Sequence, residues 1–299
     1  MTTTAMTSNP MTSSAQKIFD CHSHWGTAKG HIFRTPEELA RQEKIWKTKG
    51  RNWAESEMMD YMRANNVRTI LDLSFHKMFP IEQIREYNDY AFAVARQNRD
   101  VIFGHWLQFD PRRSEESLNE YRRARDADAG FMGFAVSGQG VGVPASDPLW
   151  FPFYELAIQC RTPVMIMTGL TGIGQGVRGG YGIVLDNGHP RHIDFVAARY
   201  PELDILAARP AYPWQDDMIA VLLHKGNVTY ELHGWGPKQL SDNLKKEIGR
   251  RLQDRIVIGC DFPVLEYEKV VADWRSLGYG EEVLQKIFHA NAEEYFSPH

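Results

Sequence analysis

Eight short runs rich in β-branched and apolar residues, each followed by a longer amphipathic stretch, restrict the folds open to this chain more than any other feature. The runs are Ile18–His22, Arg68–Ser74, Val101–Leu107, Phe131–Val136, Pro163–Met167, Asp204–Arg209, Asn227–Leu232 and Arg255–Asp261. Between them the pattern predicts helices at Glu55–Ala64, Ile81–Gln97, Ser114–Arg125, Trp150–Cys160, Ile193–Arg199, Gln215–His224 and Gln239–Leu252. Such alternation is the signature of βα units repeated around a parallel sheet. Eight units in about 280 residues make a single α/β domain, a TIM-type (β/α)8 barrel, the expected fold for residues 17–299.

Two connections are longer than a barrel needs. Between His24 and Trp53 lies an insertion with its own helix, signalled by Thr35-Pro36-Glu37-Glu38: Thr as cap, Pro in the first turn, Glu completing a capping box. The segment Thr168–Gly182 carries seven glycines in fifteen residues and follows the fifth strand at the end where barrel chemistry is found, so a mobile lid or substrate loop is expected. It lacks the Gly-Lys-Ser/Thr of a phosphate cradle. Residues 1–16, rich in Thr, Ser and Met without periodicity, read as a disordered leader with neither signal-peptide nor transit-peptide character.

Composition narrows the partners. With 43% hydrophobic and 24% charged residues and a net charge of -4, the chain suits a soluble enzyme and offers no basic face for nucleic acid. No stretch approaches the length of a membrane span. Cys21, Cys160 and Cys260 are too scattered for a disulfide framework and read as reduced thiols of a cytoplasmic protein, with Cys21 and Cys260 as packing residues. The expected partner is a small-molecule substrate, and self-association into a homo-oligomer is compatible with everything read here.

In such a barrel, residues at the C-terminal strand ends converge whatever their sequence separation. That brings together His22 and His24, Met167, Arg209, His233 and Asp261. The His-x-His pair places two imidazoles on one face of one strand end, suited to grip a divalent cation or to bond one substrate from the same side. His105, His189, His192 and His289 read as structural, whereas His76 after the second strand is kept as a substrate-binding candidate. Trp25, Tyr212 and Trp214, at or just past strand ends, are expected to line an aromatic pocket, with Lys238 as a further cation near it.

The ordered motifs Phe19-Asp20-Cys21-His22-Ser23-His24, Thr162-Pro163-Val164-Met165-Ile166-Met167-Thr168-Gly169, Tyr212-Pro213-Trp214 and Ile258-Gly259-Cys260-Asp261-Phe262-Pro263 resemble the amidohydrolase superfamily. Within it they are most similar to the group containing aminocarboxymuconate-semialdehyde and resorcylate-type decarboxylases. That resemblance implies metal ligation by His22, His24, a histidine ending strand five and Asp261, with another histidine ending strand six. Met167 and Arg209 stand at the last two histidine positions.

A thioether is a poor ligand for zinc or manganese, and a guanidinium beside a dication is unfavourable. Both departures point the same way, so the expected site is metal-free. The alternative is one zinc or manganese ion on His22, His24 and Asp261, with His233 as a possible fourth ligand. In the metal-free reading Arg209 binds a carboxylate or oxyanion and Asp261 acts as general base. The histidines orient the substrate, and His233 is a candidate acid or base. The expected activity is hydrolysis of an ester, lactone or amide in a small, cyclic, anionic substrate. Its rivals are non-oxidative decarboxylation of an aromatic or unsaturated acid, and ligand binding without turnover.

Overall fold

The computed structural model describes residues 15–30, 35–47, 51–73, 77–127 and 130–297. Residues 1–14 of the expected leader, and Ser74, Phe75 and His76, lie outside the described residues. Eight parallel strands follow one another in chain order: β1 (Ile18–His24), β2 (Val67–Asp72), β3 (Ile102–Gln108), β4 (Phe131–Val136), β5 (Val164–Met167), β6 (Ile205–Ala208), β7 (Val228–Glu231) and β8 (Ile256–Val257). The sheet closes through backbone bonds between the two ends of the chain. Cys21 N–H donates to Ile258 O (2.9 Å), Asp261 N–H to His22 O (2.9 Å) and His24 N–H to Phe262 O (2.7 Å). The fold is the expected TIM barrel.

Period explains both layers of the core. On the helix Ile81–Gln97 the buried positions Ile81, Ile84, Asn88, Ala91, Phe92 and Ala95 recur every three or four residues, and that stripe faces the strands. Alternate strand residues fill the barrel itself: Phe19, Cys21, Ile70, Trp106, Ala135, Met165, Leu206 and Val257 form a separate inner cluster. Each large apolar side chain so buried contributes roughly 1.5–3 kcal/mol. Phe296 plugs the end remote from the site, its ring 5.6 Å from Phe19 and 5.1 Å from Phe131.

Several boundaries differ from expectation for identifiable reasons. The eighth strand stops at Val257 instead of running to Asp261, because Asp261 takes a left-handed backbone (φ 56°) that no ladder accommodates. The expected helix over 239–252 is reduced to Asp242–Ile248. Ser241 caps it by accepting from Leu244 N–H (3.2 Å), and Gly249 follows its end. A register shift between Asp20 and Ser23 interrupts strict alternation in β1, so Cys21 joins the inner cluster although His22 and His24 also reach the interior. The C-terminal helical segments Tyr267–Arg275, Glu281–Gln285 and Asn291–Tyr295 were not among the sequence expectations.

The insertion forms helix α1 (Pro36–Trp46), and with the glycine-rich loop after β5 it builds one side of the barrel mouth. A Cβ on Gly172 would lie 2.6 Å from the Trp46 ring, which shows how closely loop and helix pack. No helix of the described residues is long and apolar enough to cross a membrane.

Candidate active site

At the C-terminal ends of the strands lies a cavity of about 380 Å³, lined among others by His22, His24, Met167, Arg209, His233 and Asp261. All six residues expected to converge do so. Closure of β8 onto β1 creates the centre of the site: the left-handed turn at Asp261 is fixed by the bond from its own N–H to His22 O. Asp tolerates this conformation better than most residues. Asp261 Oδ1 then lies 3.2 Å from His24 Nε2 and 3.8 Å from His22 Nδ1.

A second carboxylate, unmarked in the sequence, holds the other side of the histidine pair. Asp72 ends β2, and its Oδ2 is 2.9 Å from His22 Nε2. Gln108, ending β3, donates from Nε2 to both oxygens of Asp72 (3.0 and 2.9 Å), while its own Oε1 accepts from Lys77 Nζ (3.3 Å). Burial tends to raise the Asp72 pKa, but the hydrogen bond and charges of His22, His24 and Lys77 outweigh it and hold the carboxyl below its usual value. Burial likewise opposes charge on His24, yet Asp261 and Asp72 prevail and raise its pKa.

Behind the cavity, Glu231 and His233 form a buried pair through His233 Nδ1, and the His233 ring stacks on His22 with centroids 3.7 Å apart. Burial, reinforced by Asp20 and Asp261, pushes Glu231 well up; burial, reinforced by His22 and Arg209, pushes His233 well down. Burial thus disfavours charge on both partners. The motif glycine Gly259 makes room for this pair: a Cβ there would fall 1.7 Å from Glu231 Oε1.

Arg209 follows β6 and lines the cavity. Its Nε is buried without a partner, and among the described residues the guanidinium makes no hydrogen bond or ion pair. Desolvation lowers its pKa, offset in part by the fields of Asp261, Glu231 and Asp72. Met167 ends β5 and adds apolar lining to the cavity.

Other sequence candidates fall elsewhere. Trp25 is 1% exposed and packs on Tyr90 and His105, because β1 turns it into the helix layer. Tyr212 is largely exposed and leans on Trp235, Trp214 packs on His189, and Lys238 pairs with Asp273 at 3.0 Å. None of these four lines the cavity; the aromatic walls are Trp46 and Trp235. His76 lies outside the described residues. His105 is structural as expected, fully buried beside Phe92. Asp72, Lys77, Gln108 and Glu231 escape the sequence reading; the only available signal was a polar side chain at or just past an apolar strand's end.

Among the described residues there are two groups of possible metal donors, His22 with His233 and Asp261, and His22 with His24 and Asp72, their ligand atoms within 4.8 Å of one another.

The amidohydrolase family model matches residues 19–297, and the chain belongs to this family of enzymes. By sequence, no curated protein matches it. Among solved structures, an uncharacterised TIM-barrel protein from Bordetella bronchiseptica superposes with a TM-score of 0.75 at 17% identity, covering 94% of this chain and 98% of that one. The 5-carboxyvanillate decarboxylase of Novosphingobium aromaticivorans, complexed with manganese, gives 0.66 at 15% identity, covering 94% and 96%. A probable 2-pyrone-4,6-dicarboxylic acid hydrolase from Acinetobacter baumannii, with citric acid bound, gives 0.61 at 12% identity, covering 94% and 99%. At these identities the likeness is one of fold.

Proposed function

We propose that the protein is a metal-independent hydrolase that opens an ester, lactone or amide bond in a small anionic substrate. The observation that carries this reading is Arg209: a cation lining a small cavity without any hydrogen-bond or ion-pair partner among the described residues, close to a carboxylate that can activate water. A guanidinium whose Nε is buried without a partner is costly, and an anionic ligand or a developing oxyanion supplies what it lacks.

The reaction follows from the positions of the groups. Asp261, held by His24 Nε2, takes a proton from a water molecule as the oxygen attacks the substrate carbonyl carbon. Arg209 stabilises the negative charge that moves onto the carbonyl oxygen. As the tetrahedral adduct collapses, the bond to the leaving oxygen or nitrogen breaks, and that atom recovers the proton from Asp261. Asp72, fixed by Gln108, orients His22.

A resident dication fits these residues poorly, despite the donor groups. His22 Nε2 is engaged by Asp72 and His24 Nε2 by Asp261, although His22 Nδ1 has no hydrogen-bond partner. Lys77 and Arg209 line the same cavity, so a dication there would add its charge to two cations already present.

Decarboxylation is the second reading, supported by the raised pKa of His24, which lets an imidazolium next to Asp261 deliver the proton that replaces carbon dioxide. Product analysis separates the two. Incubation with a panel of carboxylated aryl esters and lactones, and with hydroxylated aromatic acids, should release titratable acid from the first set and no carbon dioxide from the second. Carbon dioxide release without hydrolysis would reverse the assignment.

A further inference from the structure

We propose that Lys77 is a second substrate-contacting residue, and that together with Arg209 it selects a substrate carrying two anionic groups. The inference rests on the reading of Arg209 as an anion holder and extends it from one charge to two.

Lys77 is 7% exposed, and the surface it keeps lines the same cavity as Arg209. The two cations arrive from opposite sides, since β2 and β6 are four strands apart in a closed sheet of eight. They are near enough for Arg209 to contribute, after burial, to lowering the Lys77 pKa to about 8, while Asp72 opposes that shift. Like charges on one cavity repel, and Asp72 offsets only part of the cost of burying the ammonium.

The surroundings are shaped around its ammonium. Gly140 has an ordinary backbone, yet a Cβ there would lie 3.0 Å from both Cε and Nζ of Lys77. Glycine at this position gives the lysine head room beside Ser137. Gln108 accepts from Nζ and joins it to Asp72, which aims the ammonium. Asp72 already receives His22 at 2.9 Å and both Gln108 contacts, so its lone pairs are largely satisfied before Lys77 is counted. Trp46 and Trp235 add apolar wall to the same cavity. A flat small molecule with an anionic group at each end matches this distribution.

Isothermal titration calorimetry on the full chain, with isophthalate and benzoate as probes of similar ring size, tests the idea. The wild type should bind isophthalate at least about tenfold more tightly than benzoate, the equivalent of one added charge-assisted contact. Lys77→Gln should remove that preference, lowering isophthalate affinity at least about tenfold more than benzoate affinity. Gly140→Ala, which crowds the ammonium and leaves its charge in place, should reduce the preference in the same direction and guards against a folding defect in the first variant. An unchanged isophthalate-to-benzoate ratio in folded Lys77→Gln, or no preference in the wild type, overturns the proposal. Arg209→Met should weaken both probes; equal benzoate binding by that variant and the wild type would sink the Arg209 reading, and leave the Lys77 result to be judged on its own ratio.

Discussion

Replacing Arg209 by Met should move activity and stability in opposite directions. The side chain keeps roughly its length and loses a cation whose Nε is buried without a partner. Two charge-assisted bonds to a substrate anion or oxyanion are worth about 3–4 kcal/mol together, so kcat/KM should fall by a factor of about 100 to 1000. On the stability side, relief of an unsatisfied buried donor contributes about 1–3 kcal/mol. Against this stands the lost attraction to Asp261, Glu231 and Asp72, which partly offsets desolvation in the wild type. Asp261 retains His24 at 3.2 Å, so the variant leaves no carboxylate stranded. The net expectation is a Tm equal to the wild type or up to about 4 °C higher. Thermal unfolding without ligand, alongside acid release from the carboxylated ester and lactone panel, measures both quantities. A Tm several degrees lower with activity preserved would mean that Arg209 is a structural counter-ion, and the proposed chemistry would lose its oxyanion group.

Asp261→Asn keeps the size and removes charge and basicity, so turnover should drop about a hundredfold or more with an unchanged circular dichroism spectrum; near-normal turnover would shift the chemistry to His233. Protein purified without added metal should contain far less than one equivalent of zinc or manganese by elemental analysis and keep its activity in a chelator. Met167→His combined with Arg209→His should bind zinc markedly more tightly than the wild type, and metal-restored activity in the wild type would refute the metal-free site. His105 is fully buried with both ring nitrogens unpartnered, and burial pushes its pKa down to about 3. The unfolded chain therefore takes up a proton below pH 6.5 that the folded one refuses until about pH 3, so the stability tied to this group is full above pH 6.5 and is lost as pH falls through that window. At pH 5 the penalty is about 2 kcal/mol, and His105→Leu should flatten the acid limb of a urea-denaturation series by that amount; identical limbs in both proteins would show that His105 is solvated.

The barrel was legible because strand and helix periods are local: eight apolar runs separated by amphipathic stretches allow few other arrangements. His22, His24, Asp261 and Arg209 were legible for a related reason, since each sits at or beyond the end of such a run and barrel geometry makes those ends converge. Polar residues without a spacing signature were not. Nothing local distinguishes Asp72 or Glu231 from any charge at a strand terminus, and their roles appear only when β2 lies beside β1 and β8 beside β7. The same limit misplaced Trp25, Tyr212, Trp214 and Lys238. Position after a strand is a sequence property, but the direction of a side chain there is set by register, bulges and turns. Asp261 shows the division most clearly. Its place at the end of the eighth run is written in the chain, whereas its left-handed backbone, its bond to His22 and its approach to His24 exist only because the closed sheet brings the last strand back against the first.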